Sequence, residues 1–489
     1  TASSSAPRPP GAAPPAPAAP RAAPIASGGT SRASQSVRSA AAGRNAASAA
    51  EGAGGVEEGS GDGGGGRRDA GHERAQCGRG TGGGATDAVA VAAGGRPPPR
   101  SLPCPAMTVE ILPVTSPRLH RTFIDVPWRV YDPARHPQWV PPLRLAVRDV
   151  LDVRHNPFWA DAERALFLAR RGARVVGRIA AIENRAHTGF HGDRVGFFGF
   201  FECADDPEAA GALFDAAGGW LAARGLDTMR GPTNPSTNHE CGVLVGGHEH
   251  HPMFMTTWNP PYYATLLERA GFVAAKELLG WRVPVGDPDF ALPPLFEAHA
   301  ERALGERTLR FRDLEPRHLE REIAICWDVY NAAWERNWGF VPMSRAEFAQ
   351  LARDLKLLVD PRFAFAAEID GEPAGFVLAL LDYNVLFKRI PTGRLFPTGL
   401  FTLLAGRRGL RSARIMALGV KRAYRTRSIF ALFVRELVRR GRAMGATDAE
   451  ASWVLEDNHL MNRPLRAMGA TPYRRWRLYD RPLAPAAPR

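Results

Sequence analysis

The strongest constraint on the fold is an internal repeat, because two distant stretches of the chain follow one pattern. Residues 259–281 and 458–476 each place an asparagine before a helical segment, end that helix at a glycine, and continue into an aromatic strand. The two glycines are Gly271 and Gly469. Two copies of one folding unit explain this pattern most economically, so we expect two domains of the same fold.

The order of predicted elements supports that division. Residues 107–285 and 308–489 each combine a strand hairpin, further strands and amphipathic helices, and a proline-rich linker at 286–307 joins them. The hairpin of the second half turns at Asp370-Gly371, which is a strong short hairpin signal. Strands mixed with helices in this way predict an α/β fold with a mixed sheet.

Four local predictions belong to the first half. Residues 195–202 are apolar at nearly every position, which predicts a central strand buried on both faces. Residues 207–224 have helical spacing of apolar side chains. Residues 187–194 are predicted to form a turn, and the apolar run at 253–258 is predicted to form a strand.

Residues 1–106 differ in composition from everything that follows. They contain no Phe, Trp, Tyr or Lys, and they hold 21 of the 50 glycines. Such a segment buries too little apolar surface to offset the entropy of ordering, so it is predicted to be disordered. We interpret it as an over-translated or dispensable tail before Met107, because the acids Glu57, Glu58 and Asp62 are unusual in a transit peptide.

The chain is basic, with a formal net charge of +13, and arginine supplies nearly all of the positive charge. A GC-rich coding sequence explains this excess without any function. A surface that meets the phosphates of a coenzyme, an anionic lipid or a nucleic acid explains it functionally. No motif that reads a nucleic-acid groove is present, so no nucleic-acid partner is expected.

Cysteine spacing and hydropathy indicate the cellular compartment of the protein. The five cysteines show no paired spacing, which suits a reducing cytoplasm and argues against a zinc knuckle, so no metal is expected. No apolar run reaches the ~18–20 residues that span a bilayer. We therefore expect a cytoplasmic protein, with peripheral contact at the inner membrane as a further option.

A polar loop at residues 231–242 is the strongest functional signal in the first half. Glycine and proline bracket it, it is too broken for a helix, and it carries the run His239-Glu240-Cys241. A long polar loop between structured elements usually has a function.

The order of elements resembles that of the GNAT N-acyltransferase superfamily, through the hairpin, the helix after the fourth strand and the closing helix–glycine–strand unit. In the second half, residues 420–429 lie where that superfamily keeps its coenzyme A loop, and arginines beside a helix N-terminus suit a pyrophosphate. Ser428 and Phe430 stand where the superfamily has glycines. The matching turn of the first half, 202–207, is acidic. Only the second half is therefore expected to hold coenzyme A.

Three stretches resemble, more specifically, a bacterial family of tandem GNAT-like proteins. They are Gly231-Pro-Thr-Asn-Pro-Ser236, Asn337-Trp-Gly-Phe-Val-Pro342 and Ser452-Trp-Val-Leu-Glu-Asp-Asn458. Some relatives in this family resemble bacterial ceramide synthases, which acylate the amine of a sphingoid base from a fatty acyl thioester. The resemblance implies two tandem GNAT-like acyl-coenzyme A N-acyltransferase domains.

Acylation of an amine needs a base, because an alkyl amine with a pKa near ~10 must lose a proton before it attacks. His239 and Glu240 are the predicted base pair, the alternative being a loop pinned by its own side-chain bonds to the backbone. Tyr263 is predicted as a general acid, with core packing as the alternative. Cys241 is interpreted as a small filler rather than an acyl-carrying nucleophile.

Two further sets of residues are assigned to binding. Asn234 and Asn238 could donate to an oxyanion, and turn formation is the equal alternative. The predicted substrate-binding set is Asn234, Ser236, Asn238, Asn259, Tyr262, Asn337 and Trp338. The predicted coenzyme set is Val420, Arg422, Arg425, Arg427, Ser428 and Asn458. Within it, Arg425 and Arg427 are the predicted phosphate ligands, with a solvated surface as the alternative.

The stretch 394–408 is apolar, short and flanked by arginines. It could lie in a membrane interface beside anionic head groups, cover a fatty-acyl tunnel, or form a buried connection.

Together these features predict an N-acyltransferase that moves an acyl group from acyl-coenzyme A, or from an acyl carrier protein thioester, to a small-molecule or lipid amine. A ceramide synthase-like reaction on a sphingoid-type amine is the specific form. The acceptor is expected near the first-half loop and the thioester in the second half. A non-catalytic protein that binds acyl-coenzyme A or a metabolite is the alternative.

Overall fold

The structure is a computed structural model that describes residues 108–484. Its strands are β1 (Val109–Pro113), β2 (Ala162–Arg171), β3 (Arg174–Asn184), β4 (Val195–Cys203), β5 (Thr228–Gly231), β6 (Thr233–Asn234), β7 (Glu240–Cys241), β8 (Val243–Gly246), β9 (Val273–Val283), β10 (Leu309–Asp313), β11 (Ala364–Ile369), β12 (Glu372–Leu381), β13 (Ser412–Val420), β14 (Asp448–Leu455) and β15 (Thr471–Pro482). Its α-helices are α1 (Pro117–Asp125), α2 (Pro127–Val130), α3 (Arg144–Val150), α4 (Arg185–His191), α5 (Pro207–Ala222), α6 (Tyr262–Arg269), α7 (Pro294–Leu304), α8 (Leu319–Trp334), α9 (Arg345–Leu355), α10 (Asn384–Phe387), α11 (Thr398–Gly406), α12 (Ile429–Met444) and α13 (His459–Ala467). The tail predicted for residues 1–106 lies outside the described residues.

Both halves of the described chain repeat one strand order. In the first half, β1 to β4 are antiparallel neighbours and β5 lies parallel to β4. In the second half, β10 to β13 are antiparallel neighbours and β14 lies parallel to β13. The predicted mixed α/β fold with an internal repeat is confirmed.

The last strand of each half crosses to the other half. β15 pairs with β5, β9 pairs with β14, and the two crossing strands pair with each other. One sheet therefore runs through both halves in the order β1-β2-β3-β4-β5-β15-β9-β14-β13-β12-β11-β10. Trp281 of β9 and Trp476 of β15 are fully buried at this crossing. Burial of a large apolar side chain stabilises a fold by about 1.5–3 kcal/mol, so the crossing holds the halves together.

The parallel strands of the second half separate soon after they pair. β13 and β14 are bonded only from 412–415 to 448–451. Beyond that point, Met416 interrupts the β12–β13 register, and Ser452 and Trp453 interrupt the β14–β9 register. Bulges of this kind redirect a strand. A cleft therefore opens between β13 and β14.

Helices cover the sheet and begin at recognisable signals. Asp206 caps α5 by accepting from the Ala209 N–H (3.1 Å), and Pro207 occupies the first turn. Helix α12 follows Ser428, whose φ of 60° lies in the left-handed region, and ends at Gly445 with a φ of 76°.

Two local predictions are wrong. The turn expected at 187–194 contains helix α4, which Asn184 caps by accepting from the His187 N–H (3.2 Å). The strand expected at 253–258 is irregular, because its backbone bonds go to side chains of the second half. Asp382 accepts from the Phe254 N–H, and Arg414 donates to the carbonyls of Phe254 and Met255.

The stretch 286–307, expected as a linker, contains helix α7. Ala300 and Ala303 of α7 are buried against Leu432 of α12. The proline-rich residues before α7 make the connection, and the helix itself is part of the packed second half.

Candidate active site

The polar loop folds into a short hairpin over the first half. Thr233 and Asn234 of β6 pair with Cys241 and Glu240 of β7. The Asn234 side chain accepts from the Phe200 N–H at 2.6 Å. Asn234 thus fixes the loop to β4, and it also lines one of the cavities described below.

Gly199 permits this close approach, because a Cβ there would lie 1.6 Å from the Thr233 carbonyl oxygen. The loop therefore covers β4 where the first half would open a cleft like that between β13 and β14. Beyond it, Glu202 at the end of β4 is hydrogen-bonded by the hydroxyls of Tyr131 and Tyr263. Glu202 and Tyr263 also line the outer cavity described below.

The tip of the loop is bonded to the second half. Thr237 donates to the Gly339 carbonyl (2.7 Å), and the Asn238 amide donates to the Val341 carbonyl (2.9 Å). The Tyr330 hydroxyl donates to Asn238 Oδ1 (2.9 Å). Predicted substrate residues from both halves, the loop and the segment around Asn337 and Trp338, are therefore neighbours.

His239 is held in a mostly apolar place. Its Nδ1 lies 2.8 Å from the Ser236 hydroxyl, and its ring packs edge-to-face on Phe158 at 5.8 Å. Burial lowers the pKa of His239 to about 4, so the ring is neutral at pH 7. When the proton is on Nδ1, the ring donates to Ser236 and Nε2 is free to accept a proton.

Glu240 follows His239 on β7. Burial raises the pKa of Glu240, against the attraction of the Arg414 charge and with a further rise from the Glu202 charge. Burial also raises the pKa of Cys241 to about 12, and this thiol packs against Leu244 and Trp476. Cys241 is thus a packed thiol, as interpreted from the sequence.

Three concave spaces meet around these residues. The inner cavity, of about 280 Å³, lies between α8, α9 and the sheet of the second half. The outer cavity, of about 930 Å³, lies between the first-half loop region, α3, α9 and α10. The cleft, of about 580 Å³, is the space between the separating strands β13 and β14.

The three spaces share walls, and the shared residues define the candidate site. His239, Glu240 and Met255 line both the inner and the outer cavity. Residues that line both the inner cavity and the cleft are Trp334, Asn337, Met416, Trp453 and Leu455. The inner cavity therefore adjoins both the cleft and the predicted base pair.

The predicted tyrosines and Asn259 lie at the far side of the outer cavity. Tyr263 donates to Glu202 Oε2 (2.8 Å) and accepts from the Cys203 N–H (3.0 Å), and burial raises the pKa of Tyr263 well above its usual range. Tyr262 donates to the Cys203 carbonyl (2.9 Å). The Asn259 amide bonds both backbone groups of Leu244. These three side chains form hydrogen bonds to backbone groups, and Tyr263 and Asn259 also line the outer cavity.

The predicted coenzyme residues separate into two groups. Val420, Arg422, Arg425 and Asn458 line the cleft. Arg427 instead forms an ion pair with Glu306, and the Ser428 hydroxyl lies 2.9 Å from Nδ1 of His299. These last two side chains face helix α7 and the turn that follows it, and they are absent from the cleft wall.

The structure adds residues that the sequence did not single out. Arg414 of β13 is buried, donates to the Ser452 hydroxyl (2.9 Å), and lies 4.8 Å from the Trp453 ring centroid. Ser452 in turn donates to Glu450 at 2.5 Å. The Trp453 indole N–H is buried and has no hydrogen-bond partner within residues 108–484. The sequence did offer one signal for this group of residues, because Arg414 is a charged residue inside the otherwise apolar stretch 412–420.

Asp382 gives a pH-dependent test of the packing beside the outer cavity. Its carboxylate accepts from the N–H groups of Phe254 (2.9 Å) and Asn384 (3.2 Å), and burial raises its pKa to about 7. In the unfolded chain this carboxyl ionises from about pH 4, so the contribution of Asp382 to the free energy of unfolding falls as pH rises from about 4 to 7. We expect Asp382→Asn to escape this loss and to exceed wild type by up to about 4 kcal/mol at pH 8.

Denaturant unfolding of both proteins at pH 4 and pH 8 measures this difference. The advantage of Asp382→Asn should be absent at pH 4 and present at pH 8. A difference that is the same at both pH values would show that the pKa of Asp382 is not raised.

No family model matches the chain. Sequence comparison finds the protein "Bacterial ceramide synthase" from Caulobacter vibrioides (strain NA1000 / CB15N), which is 35% identical over 382 residues, covering 77% of this chain and 98% of that protein. The chain belongs to the bacterial ceramide synthase family. Protein YghO from Escherichia coli (strain K12) is 33% identical over 367 residues, covering 74% of this chain and 92% of that protein. The expected family and the expected acyltransferase activity are confirmed.

Comparison with solved structures finds a protein whose name also describes it as tandem GNAT. The tandem GNAT protein from the clavulanic acid biosynthesis pathway overlaps with 78% of this chain and 100% of its own, at 14% identity and a TM-score of 0.47. Within residues 108–484, no helix combines the length and hydrophobicity needed to cross a bilayer.

Proposed function

We propose that this enzyme transfers a long-chain acyl group from acyl-coenzyme A to the amine of a sphingoid-type lipid. The observation that carries the proposal is the apolar inner cavity. It shares one wall with the cleft, and His239 and Glu240 are part of its lining. Such a space suits a hydrocarbon chain next to a base. The name of the Caulobacter relative supports the same reaction.

The donor would lie in the cleft of the second half. The N-terminus of α12, with Arg422 and Arg425 beside it, offers backbone N–H groups and positive charge for the pyrophosphate. Among residues 108–484, no strand pairs with β13 beyond Ile415 on the side of β14, so its backbone groups would be available to the amide-rich arm of the coenzyme. Ser428 adopts the left-handed conformation at the helix start, where the superfamily pattern has a glycine.

The chain's own groups would then move one proton. His239 takes a proton from the acceptor amine, whose nitrogen forms a C–N bond with the thioester carbonyl. Trp453 lines both the inner cavity and the cleft, and its indole N–H has no partner within residues 108–484, so we assign it as the donor to the oxygen that becomes negative. The C–S bond breaks, and the proton on His239 passes to the leaving thiolate. Glu240, beside His239, would hold the ammonium form of the amine, which first loses one proton to solvent; the proton that His239 then takes is the second, and it leaves on the thiol.

Coenzyme binding gives a prediction for the cleft. We expect Arg422→Ala and Arg425→Ala each to raise the KM for acyl-coenzyme A about tenfold with little change in kcat, because a charge-assisted contact to phosphate is lost before chemistry. Initial rates over a range of donor concentrations measure both constants. Arg302→Ala, at an exposed arginine of α7, is the matched control. An unchanged KM in both variants would remove these arginines from the phosphate site.

Turnover with a defined pair of substrates tests the function itself. Purified enzyme is incubated with palmitoyl-coenzyme A and a sphingoid base, and free thiol and N-acyl product are measured together. Equal amounts of both products support the transferase. Acyl-coenzyme A that binds without release of thiol would instead support a non-catalytic binding protein. The same assay with an acyl carrier protein thioester identifies the donor.

We also propose that the enzyme works in the cytoplasm at the inner-membrane surface. The described cysteines, Cys203, Cys241 and Cys326, are free thiols, which suits a reducing compartment. A lipid amine with a long chain resides in a membrane, so the enzyme would meet it at the membrane surface.

A further inference from the structure

Helix α11 is apolar on two opposite faces. Its inner face packs through Gly399, Leu403 and Gly406, and a Cβ on Gly406 would lie 2.3 Å from a methyl carbon of Leu386. The glycines therefore let the helix approach α10 closely. The outer face carries Phe401 and Leu404, which are 74% and 70% exposed. An apolar helix face that is exposed to water indicates a binding surface for a second partner.

Exposed apolar side chains are concentrated around this helix. Of the twelve large apolar side chains that are exposed within residues 108–484, six belong to one docking patch. The docking patch comprises Leu357, Val385, Phe396, Leu400, Phe401 and Leu404. Leu357 joins α11 because Arg407 donates to its carbonyl (3.3 Å). Scattered exposed apolar residues need no explanation, but a cluster of this kind does.

The segment that carries five of the six patch residues has charge of one sign. Residues 383–435 contain no Asp or Glu, whereas 383–411 contain five arginines and one lysine. Arg389, Arg394 and Arg408 are exposed. Apolar side chains ringed by arginine complement an anionic lipid surface, in which the hydrocarbon boundary lies directly below the negative head groups.

The patch also lies beside residues that line the two cavities. Asn384 and Phe387 of α10 line the outer cavity, and α11 packs directly on α10. Arg407 donates to the Val359 carbonyl (3.1 Å) as well as to Leu357. Val359 lines the inner cavity, and the adjacent Leu358 lines the outer one.

We infer that the docking patch is a membrane-binding element that seats the enzyme on an anionic bilayer and aligns the outer cavity with the lipid acceptor. The outer face of α11 inserts to the depth of the acyl boundary, and the arginines contact the head groups. The inference goes beyond the proposed reaction, because the patch binds lipid whichever amine is acylated.

Vesicle flotation tests the patch in the full-length protein. Phe401→Asp with Leu404→Asp changes two exposed side chains without touching the core. We expect at least about a tenfold loss of binding to phosphatidylcholine vesicles with about one third phosphatidylglycerol. Leu295→Asp, 66% exposed on α7, is the matched control and should bind as wild type does. Arg394→Glu with Arg408→Glu should lose the phosphatidylglycerol dependence.

An activity readout separates docking from the reaction. The Phe401→Asp, Leu404→Asp enzyme should acylate a short, water-soluble amine as wild type does and lose about tenfold on an amine embedded in vesicles. Equal flotation of wild type and this variant overturns the inference, as does an equal loss in the Leu295→Asp control. A wild-type dimer that the variant breaks would make a second copy the occupant instead. If no amine is acylated at all, the proposed function fails while flotation still decides the patch.

Discussion

His239→Ala is expected to lower kcat for thiol release by about 10²–10⁴ while the protein stays folded. The reason is the loss of the only neutral ring that lines both cavities within the described residues. Because burial holds the pKa of His239 near 4, the ring is already a base at every pH above about 5. The wild-type rate should therefore show no inflection from His239 between pH 5 and 8, and it should rise with pH as the amine loses its proton.

Glu240→Gln separates the two members of the pair. If His239 is the base and Glu240 only holds the ammonium form, the Gln variant should raise the KM for the amine more than it lowers kcat. His251→Ala, at an exposed histidine outside both cavities, is the control and should leave the rate unchanged. Full turnover in His239→Ala would exclude the ring as the base, and a larger loss in Glu240→Gln would transfer that role to the carboxylate.

Ala352→Phe is expected to shift the enzyme from long to short acyl donors. Ala352 lies on α9 in the wall of the inner cavity, so a phenyl ring there takes space that we assign to the acyl chain. Each methylene that can no longer be buried costs about 0.8 kcal/mol. Loss of room for about three methylenes should lower kcat/KM for palmitoyl-coenzyme A about fiftyfold relative to octanoyl-coenzyme A.

The control uses the same substitution on the same helix. Ala346 is exposed on the outer side of α9, so Ala346→Phe should leave the ratio of the two donors unchanged. Competition between the donors, followed by mass spectrometry of the N-acyl products, gives the ratio directly. A uniform loss with both donors would mean that the inner cavity does not hold the acyl chain.

The strand exchange brings residues of both repeats to one candidate active site. The crossing of β9 and β15 fixes the first-half loop beside the second half, where Asn238 meets Val341 and Tyr330. The loop closes over β4 at Gly199, while β13 and β14 separate freely into the cleft. One repeat therefore carries the candidate base, and the other carries the cleft that we assign to the donor.

Local patterns in the sequence were enough for most of the elements. The hairpin at Asp370-Gly371 and the glycine stops at Gly271 and Gly469 each depend on residues within a few positions of one another. The internal repeat is also visible along the chain. The wrong strand prediction at 253–258 has the opposite cause, since its backbone partners, Asp382 and Arg414, lie far away in the sequence.

By itself, therefore, the sequence determined the α/β class, the repeat, the polar loop and the family. Only the tertiary structure decided that the last strands exchange, that Arg427 faces Glu306 instead of the cleft, and that Trp453 joins the site. Periodicity and turn chemistry act over a few residues, whereas the walls of a cavity come from strands and helices that meet only after long-range pairing.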